Sequence, residues 1–177
     1  MNRANDEQEL IDLIAGQRLG GEMKFWEQAV ATDQSVFGQL YQLTFNTNRR
    51  ISWRSCWIID TVSESSPELL KPYIPEIIDR LASEKNGSLK RHFTRIICRY
   101  ELPDEKLGML VNTAFNLLSP NEDIAVRANA MQILYNISQS EPDLKQELSS
   151  VLETLLAEES SAAITSRGKR LLIKLRN

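Results

Sequence analysis

Residues 51–60 read ISWRSCWIID, and their types invite a chemical reading. Trp53 and Trp57 set two rings four residues apart, and Asp60 follows about one helical turn later. Rings and a carboxylate in that order could hold a base or a sugar against an acid. Elsewhere catalytic material is sparse. His92 is the only histidine, so a Ser-His-Asp or Cys-His arrangement would have to use it. Its column, shared with Cys56, Asn129 and Arg167, suggests a groove-edge or surface histidine. Cys56 and Cys98 lack CxxC spacing, which with one histidine leaves no Cys/His metal centre and implies two buried or half-buried free thiols. No phosphate-cradling glycine run and no HExxH stretch occurs, and Gly20-Gly21 reads as a helix break. The expectation is a protein with no cofactor and no metal, for which binding outranks catalysis.

A second group of residues bears on binding. Arg91, Arg95 and Arg99 recur at i, i+4 and i+8, forming one stripe away from Leu89, Phe93, Ile96 and Tyr100. Arg170 and Lys174 fall in the columns of Arg95 and Arg99 when the segments described below are aligned, and Gln132 and Asn136 fill them between. Ile59 and Ser63 hold those columns in the first segment. Guanidinium and ammonium donors in a row suit phosphates or acidic side chains.

Composition sets the elements that must position these groups. The 177 residues are 42% hydrophobic and 25% charged, with only 7 Gly and 6 Pro, which favours a globular helical chain over a hairpin-rich β fold or a disordered one. The opening MNRANDEQEL is acidic where a secretion signal needs basic and then apolar residues. The charge-free run Leu107 to Asn121 is too short and too polar to span a bilayer. A cytoplasmic protein with no membrane segment is expected.

Four segments align: WRSCWIIDTV from Trp53, LKRHFTRIIC from Leu89, VRANAMQILY from Val126 and ITSRGKRLLI from Ile164, spaced 36, 37 and 38 residues apart. Their columns read Trp53, Leu89, Val126, Ile164, then Trp57, Phe93, Ala130, Gly168, with Ile96/Ile97, Ile133/Leu134 and Leu171/Leu172 further on. Apolar residues at i, i+4, i+7 and i+8 make each segment an amphipathic helix with its large residues inside. In this alignment both tryptophans are core, and Asp60 is an acid in a column of Ile96, Ile133 and Leu171. Such an acid needs a partner, because burying an unpaired carboxylate costs several kcal/mol. Between these segments lie helices opened by Ser66-Pro67-Glu68, Pro103-Asp104-Glu105 and Pro142-Asp143. SVFGQLYQLTF precedes the first segment. Residues 6–17 and 22–31 read as further helices capping the N-terminal end.

The leucine pair and interior proline of LLKPYIPEIIDRL, a polar turn, and the Val126-Arg127-Ala128-Asn129-Ala130 opening of the next helix together resemble the HEAT repeat. The resemblance covers residues 33 to 177 and implies an all-α, right-handed α-α solenoid. As one domain over 1–177, it would hold a cap over 1–32 and helical hairpins over 33–65, 66–102, 103–140 and 141–177. The second helices with their turns carry 14 Lys+Arg and 4 Asp+Glu, against 7 and 20 for the rest. The resemblance lines the concave side with those second helices. Arg91, Arg95, Arg99, Arg170 and Lys174 would then present a basic surface to an acidic protein segment or a nucleic acid. It also supplies an alternative. Some HEAT-like alkylpurine DNA glycosylases hold a damaged nucleotide with tryptophans and an aspartate, a role that would fall to Asp60 with Trp53 or Trp57.

Overall fold

The computed structural model describes residues 3–16, 23–158 and 161–176, with side chains from Glu7 onward; Gly20-Gly21 lies outside them. The chain divides into two compact units, Met1–Pro72 and Tyr73–Asn177. Every regular element among the described residues is helical.

The first unit contains α1 (Arg3–Gly16), α2 (Met23–Thr32), α3 (Ser35–Leu43) and α4 (Arg49–Ser65). Side chains start two of these helices. The carboxylate of Asp33 accepts the Ser35 N–H at 2.9 Å, and Asn48 Oδ1 accepts the Arg50 N–H at 3.0 Å, each satisfying a donor that the first turn leaves open. The Ser35 hydroxyl and then its N–H hold the Asp33 carboxyl below its usual range. Helices α1, α2 and α3 all pack on α4. This wrapping buries ten of the 17 residues of α4, polar Ser52, Arg54, Ser55, Asp60 and Ser63 among them.

LLKPYIPEIIDRL is not one helix. Two 3-10 turns, Pro67–Leu69 and Lys71–Tyr73, precede α5 (Ile74–Ser83). Pro72 and Pro75 explain the break, since neither has an N–H to continue an α-helical ladder; Pro75 is tolerated in the first turn of α5, where that donor has no partner anyway.

The second unit continues with α6 (Gly87–Ile97), α7 (Asp104–Asn116), α8 (Ile124–Ile137), α9 (Pro142–Glu158) and α10 (Ala162–Arg176). Sequential pairs α5/α6, α7/α8 and α9/α10 form hairpins; α8 also contacts α6 and α10, and α5 contacts α7. Leu89, Phe93, Ile96 and Ile97 of α6 are buried, as are Val126, Ala130, Ile133 and Leu134 of α8 and Ile164, Gly168, Leu171 and Leu172 of α10. Each large member contributes about 1.5–3 kcal/mol by leaving water. Gly168 keeps its column bare because a Cβ there would stand 2.9 Å from Leu156 Cδ2.

Helix starts correct the register of the first segment. Arg49, Gly87, Ile124 and Ala162 are 38, 37 and 38 residues apart. Aligned on them, Ile51 joins Leu89, Val126 and Ile164, while Ile58 and Ile59 join Ile96/Ile97 and their equivalents, all buried. The first segment was therefore two residues out of step. Trp53 and Trp57, placed in core columns by the sequence, instead take the positions of Arg91 and Arg95, and both are half-buried. The inward column holds Ser55 instead.

Candidate functional site

Asp60 is 0% exposed, inside the wrapped helix α4. The carboxylate is thus shut off from any ligand on the protein surface, which the glycosylase-like alternative would need to reach. In the corrected register its column holds Cys98, Tyr135 and Ile173 rather than Ile96, Ile133 and Leu171. Neighbouring Arg54 turns elsewhere. Its Nη1 donates to the carbonyls of Ile14 at 2.7 Å and Ala15 at 3.0 Å, closing the C-terminal turn of α1 with a cation where the helix dipole is negative. Burial lowers the Arg54 pKa, with Arg50 adding to the effect. Its guanidinium carbon lies 5.8 Å from the Trp53 ring centre.

Two further cations serve the structure in the same manner. Arg127, 8% exposed, donates from Nε to the Leu118 carbonyl just beyond α7 at 3.2 Å. Lys90 pairs with Glu122 in the turn between α7 and α8. Arg54, Lys90 and Arg127 all counted toward the charge of the second helices, yet each is spent on internal contacts. His92, expected at a groove edge or on the surface, is instead buried at 9% exposure.

The five stripe residues all belong to the second unit, and all are exposed. Arg91 and Arg95 lie on α6, and Arg170 and Lys174 on α10. Arg99 does not ride the helix, because α6 ends at Ile97 and Arg99 sits in the following turn, its N–H bonded to the Ile96 carbonyl at 2.9 Å. Lys174 Nζ lies 5.6 Å from the centre of the Tyr135 ring on α8, within cation–π range. Arg91 and Arg170 make no ion pair among the described residues.

Charge separates by layer in this unit. Helices α6, α8 and α10 carry nine Lys and Arg and no Asp or Glu; α5, α7 and α9 carry three and eight. One of the ion pairs lies within the acidic set and one crosses to it from the basic set. Lys106 of α7 meets Asp79 of α5 at 2.7 Å, and Arg176 of α10 meets Glu153 of α9 at 2.7 Å.

Between the cation-bearing helices, α8 holds a feature that residue spacing alone did not disclose. Arg167 Nη1 donates to Gln132 Oε1 at 3.3 Å, Gln132 Nε2 to Asn136 Oδ1 at 2.8 Å, and Asn136 Nδ2 to the Cys98 carbonyl at 3.1 Å. One directed chain of hydrogen bonds thus ties α10 through α8 to the end of α6. Gln132 and Asn136, expected as ladder donors, spend much of their capacity on it. The Cys98 thiol donates to the Asn129 carbonyl at 3.5 Å. Burial pushes that thiol up to about 12, against the opposing pull of Arg167 and Arg99. Neither cysteine forms a disulfide, and Cys56 is buried.

A cleft of about 710 Å³ opens between the α7–α8 turn (Leu118, Pro120), Arg127, and Val151, Leu155 and Glu158 of α9. No three His, Cys, Asp or Glu side chains gather as metal ligands among the described residues. No helix there is long and apolar enough to cross a membrane.

Helical hairpins at a 37–38-residue period, with one charge sign collected on alternate helices, define a helical repeat scaffold. A family model described as HEAT repeat domain matches residues 21–175, and the chain belongs to that family. Repeats of this family mediate binding to other molecules. No curated protein matches the chain.

Proposed function

We propose that the chain is a non-catalytic binding scaffold that captures an anionic macromolecule on the basic face formed by Arg91, Arg95, Arg99, Arg170 and Lys174. The observation supporting this is the charge division in Tyr73–Asn177, nine cations and no anion on α6, α8 and α10 against three and eight on α5, α7 and α9. Solubility alone is served by interspersed signs. A single-sign face instead raises a local potential that attracts the opposite charge and speeds its encounter.

The test is titration of fluorescein-labelled polyglutamate and of a short duplex DNA. It is run at about 10 mM salt, where the Debye length is about 30 Å, and at about 0.15 M, where it is about 8 Å. At least one polyanion binds at low salt and loses affinity at the higher salt, and Arg91→Glu with Arg170→Glu abolishes that binding while Lys145→Glu on α9 does not. If no polyanion binds at low salt, or the double variant binds as well as the parent, the reading fails.

A further inference from the structure

Resting on that reading, we infer that the partner of the basic face is an acidic α-helix of another protein, laid over α8 with its carboxylates toward α6 and α10, and not a nucleic acid. Four observations lead there.

First, the exposed cations form two groups flanking an uncharged strip. Arg91 and Arg95 stand on α6, Lys169, Arg170 and Lys174 on α10; on α8, between them, the only charged side chain is the buried Arg127. Adjacent helices pack about 8–10 Å apart, so the two rows are separated by about 16–20 Å with one helix between. A helix about 10–12 Å across fits over such a strip with both flanks near cations.

Second, the strip itself is uncharged and partly apolar. The Tyr135 ring is half-buried on α8, and Ile173 on α10 is 63% exposed, the largest exposure among the exposed large hydrophobic residues. An amphipathic helix offers apolar side chains for such a surface, whereas a phosphate backbone offers none there.

Third, the strip is held in place before any ligand arrives. The chain from Arg167 through Gln132 and Asn136 to the Cys98 carbonyl fixes α8 against α6 and α10, so little ordering remains to be done when a rigid partner docks.

Fourth, the wider field does not suit a nucleic acid. Tyr73–Asn177 carries 14 basic and 14 acidic residues, and the whole chain has an isoelectric point of about 5.3, where nucleic-acid-binding domains are usually strongly basic. A duplex running past the basic helices would meet the acidic ones. A helix of about 20 residues, roughly 30 Å long, need not extend beyond the basic face.

The experiment uses the full chain and three fluorescent probes. One is a peptide of about 20 residues whose helical wheel sets an alanine–leucine strip between two rows of glutamate; the second has the same composition scrambled so that glutamates surround the helix; the third is a duplex DNA of about 20 base pairs. The patterned helix should bind at least about tenfold more tightly than the scrambled peptide or the DNA at physiological salt, a difference of about 1.4 kcal/mol. Arg91→Glu and Arg170→Glu should each weaken it, and Ile173→Ser should narrow the gap to the scrambled peptide. If the scrambled peptide or the DNA binds equally well or better and still depends on Arg91 and Arg170, the helix inference is wrong and the basic-face reading stands. If none of the three probes binds even at about 10 mM salt, both are wrong.

Discussion

Arg54 Nη1 lies 2.7 Å from the Ile14 carbonyl and 3.0 Å from that of Ala15, so a side chain of α4 closes the last turn of α1. Arg54→Met keeps most of the apolar stem and removes both charge-assisted bonds. It should cost about 2–3 kcal/mol in chemical denaturation. The cost should be local, with amide exchange of residues 7–16 accelerating before that of α3 and α4. Unchanged protection of α1 in the variant would show that the contact does not hold that helix.

Ser55 is 0% exposed and its hydroxyl has no hydrogen-bond partner among the described residues. A buried polar atom without a partner weighs against the fold, and serine is a poorer helix former than alanine. Ser55→Ala should therefore stabilise the protein, by about 0.5–1.5 kcal/mol, read as a higher urea midpoint at unchanged slope. The same substitution tests the corrected register, since it puts an alanine where α8 has Ala130. A loss of more than about 1 kcal/mol would mean that the hydroxyl is satisfied or the column misplaced.

Much of the fold is legible in the sequence because its signals are local and repeated. Pro103 and Pro142 mark helix starts, and the apolar columns of α6, α8 and α10 are buried as their spacing requires. The first hairpin misled for a physical reason. Tryptophan is the strongest apolar cue in ISWRSCWIID, and aligning Trp53 with Leu89 overrode the weaker match of Ile51, Ile58 and Ile59. Helix α4 is also wrapped by α1, α2 and α3, so its buried surface is wider than one stripe and admits Ser52, Ser55 and Asp60. Sequence showed that the second helices are basic; it could not show which cations are spent. Whether an arginine faces solvent, like Arg91, or the end of a preceding helix, like Arg127, depends on contacts nine to forty residues away.

Gln132 and Asn136 act as consecutive links of one hydrogen-bond chain, so their contributions should not add. Gln132→Ala and Asn136→Ala should each cost about 1–2 kcal/mol, and the double variant should cost less than the sum by about 0.5–1.5 kcal/mol. A double-mutant cycle from urea titrations measures that coupling. Additivity to within about 0.3 kcal/mol would show the two amides to be independent.

The Cys98 thiol has its pKa raised from an ordinary 9.0 to about 12, chiefly because burial disfavours the thiolate, and Arg167 and Arg99 only partly offset this. Below about pH 9 the thiol is protonated in both the folded and unfolded chain, and its preference for the folded state is fully retained. Between about 9 and 12 the unfolded chain gives up a proton that the folded chain keeps, so stability falls as pH rises. Reactivity should follow the same pattern, because the thiolate is the nucleophile. In a Cys56→Ala background, iodoacetamide should label Cys98 in the native protein at pH 8 far more slowly than in urea, and Cys98→Ser should abolish the labelling. The bond from Asn136 to the Cys98 carbonyl makes Asn136→Ala a sharper probe, since loosening that turn should raise the native labelling rate at pH 8 toward the unfolded one. Native labelling of the parent at the rate of an exposed thiol would mean that Cys98 is neither buried nor held protonated.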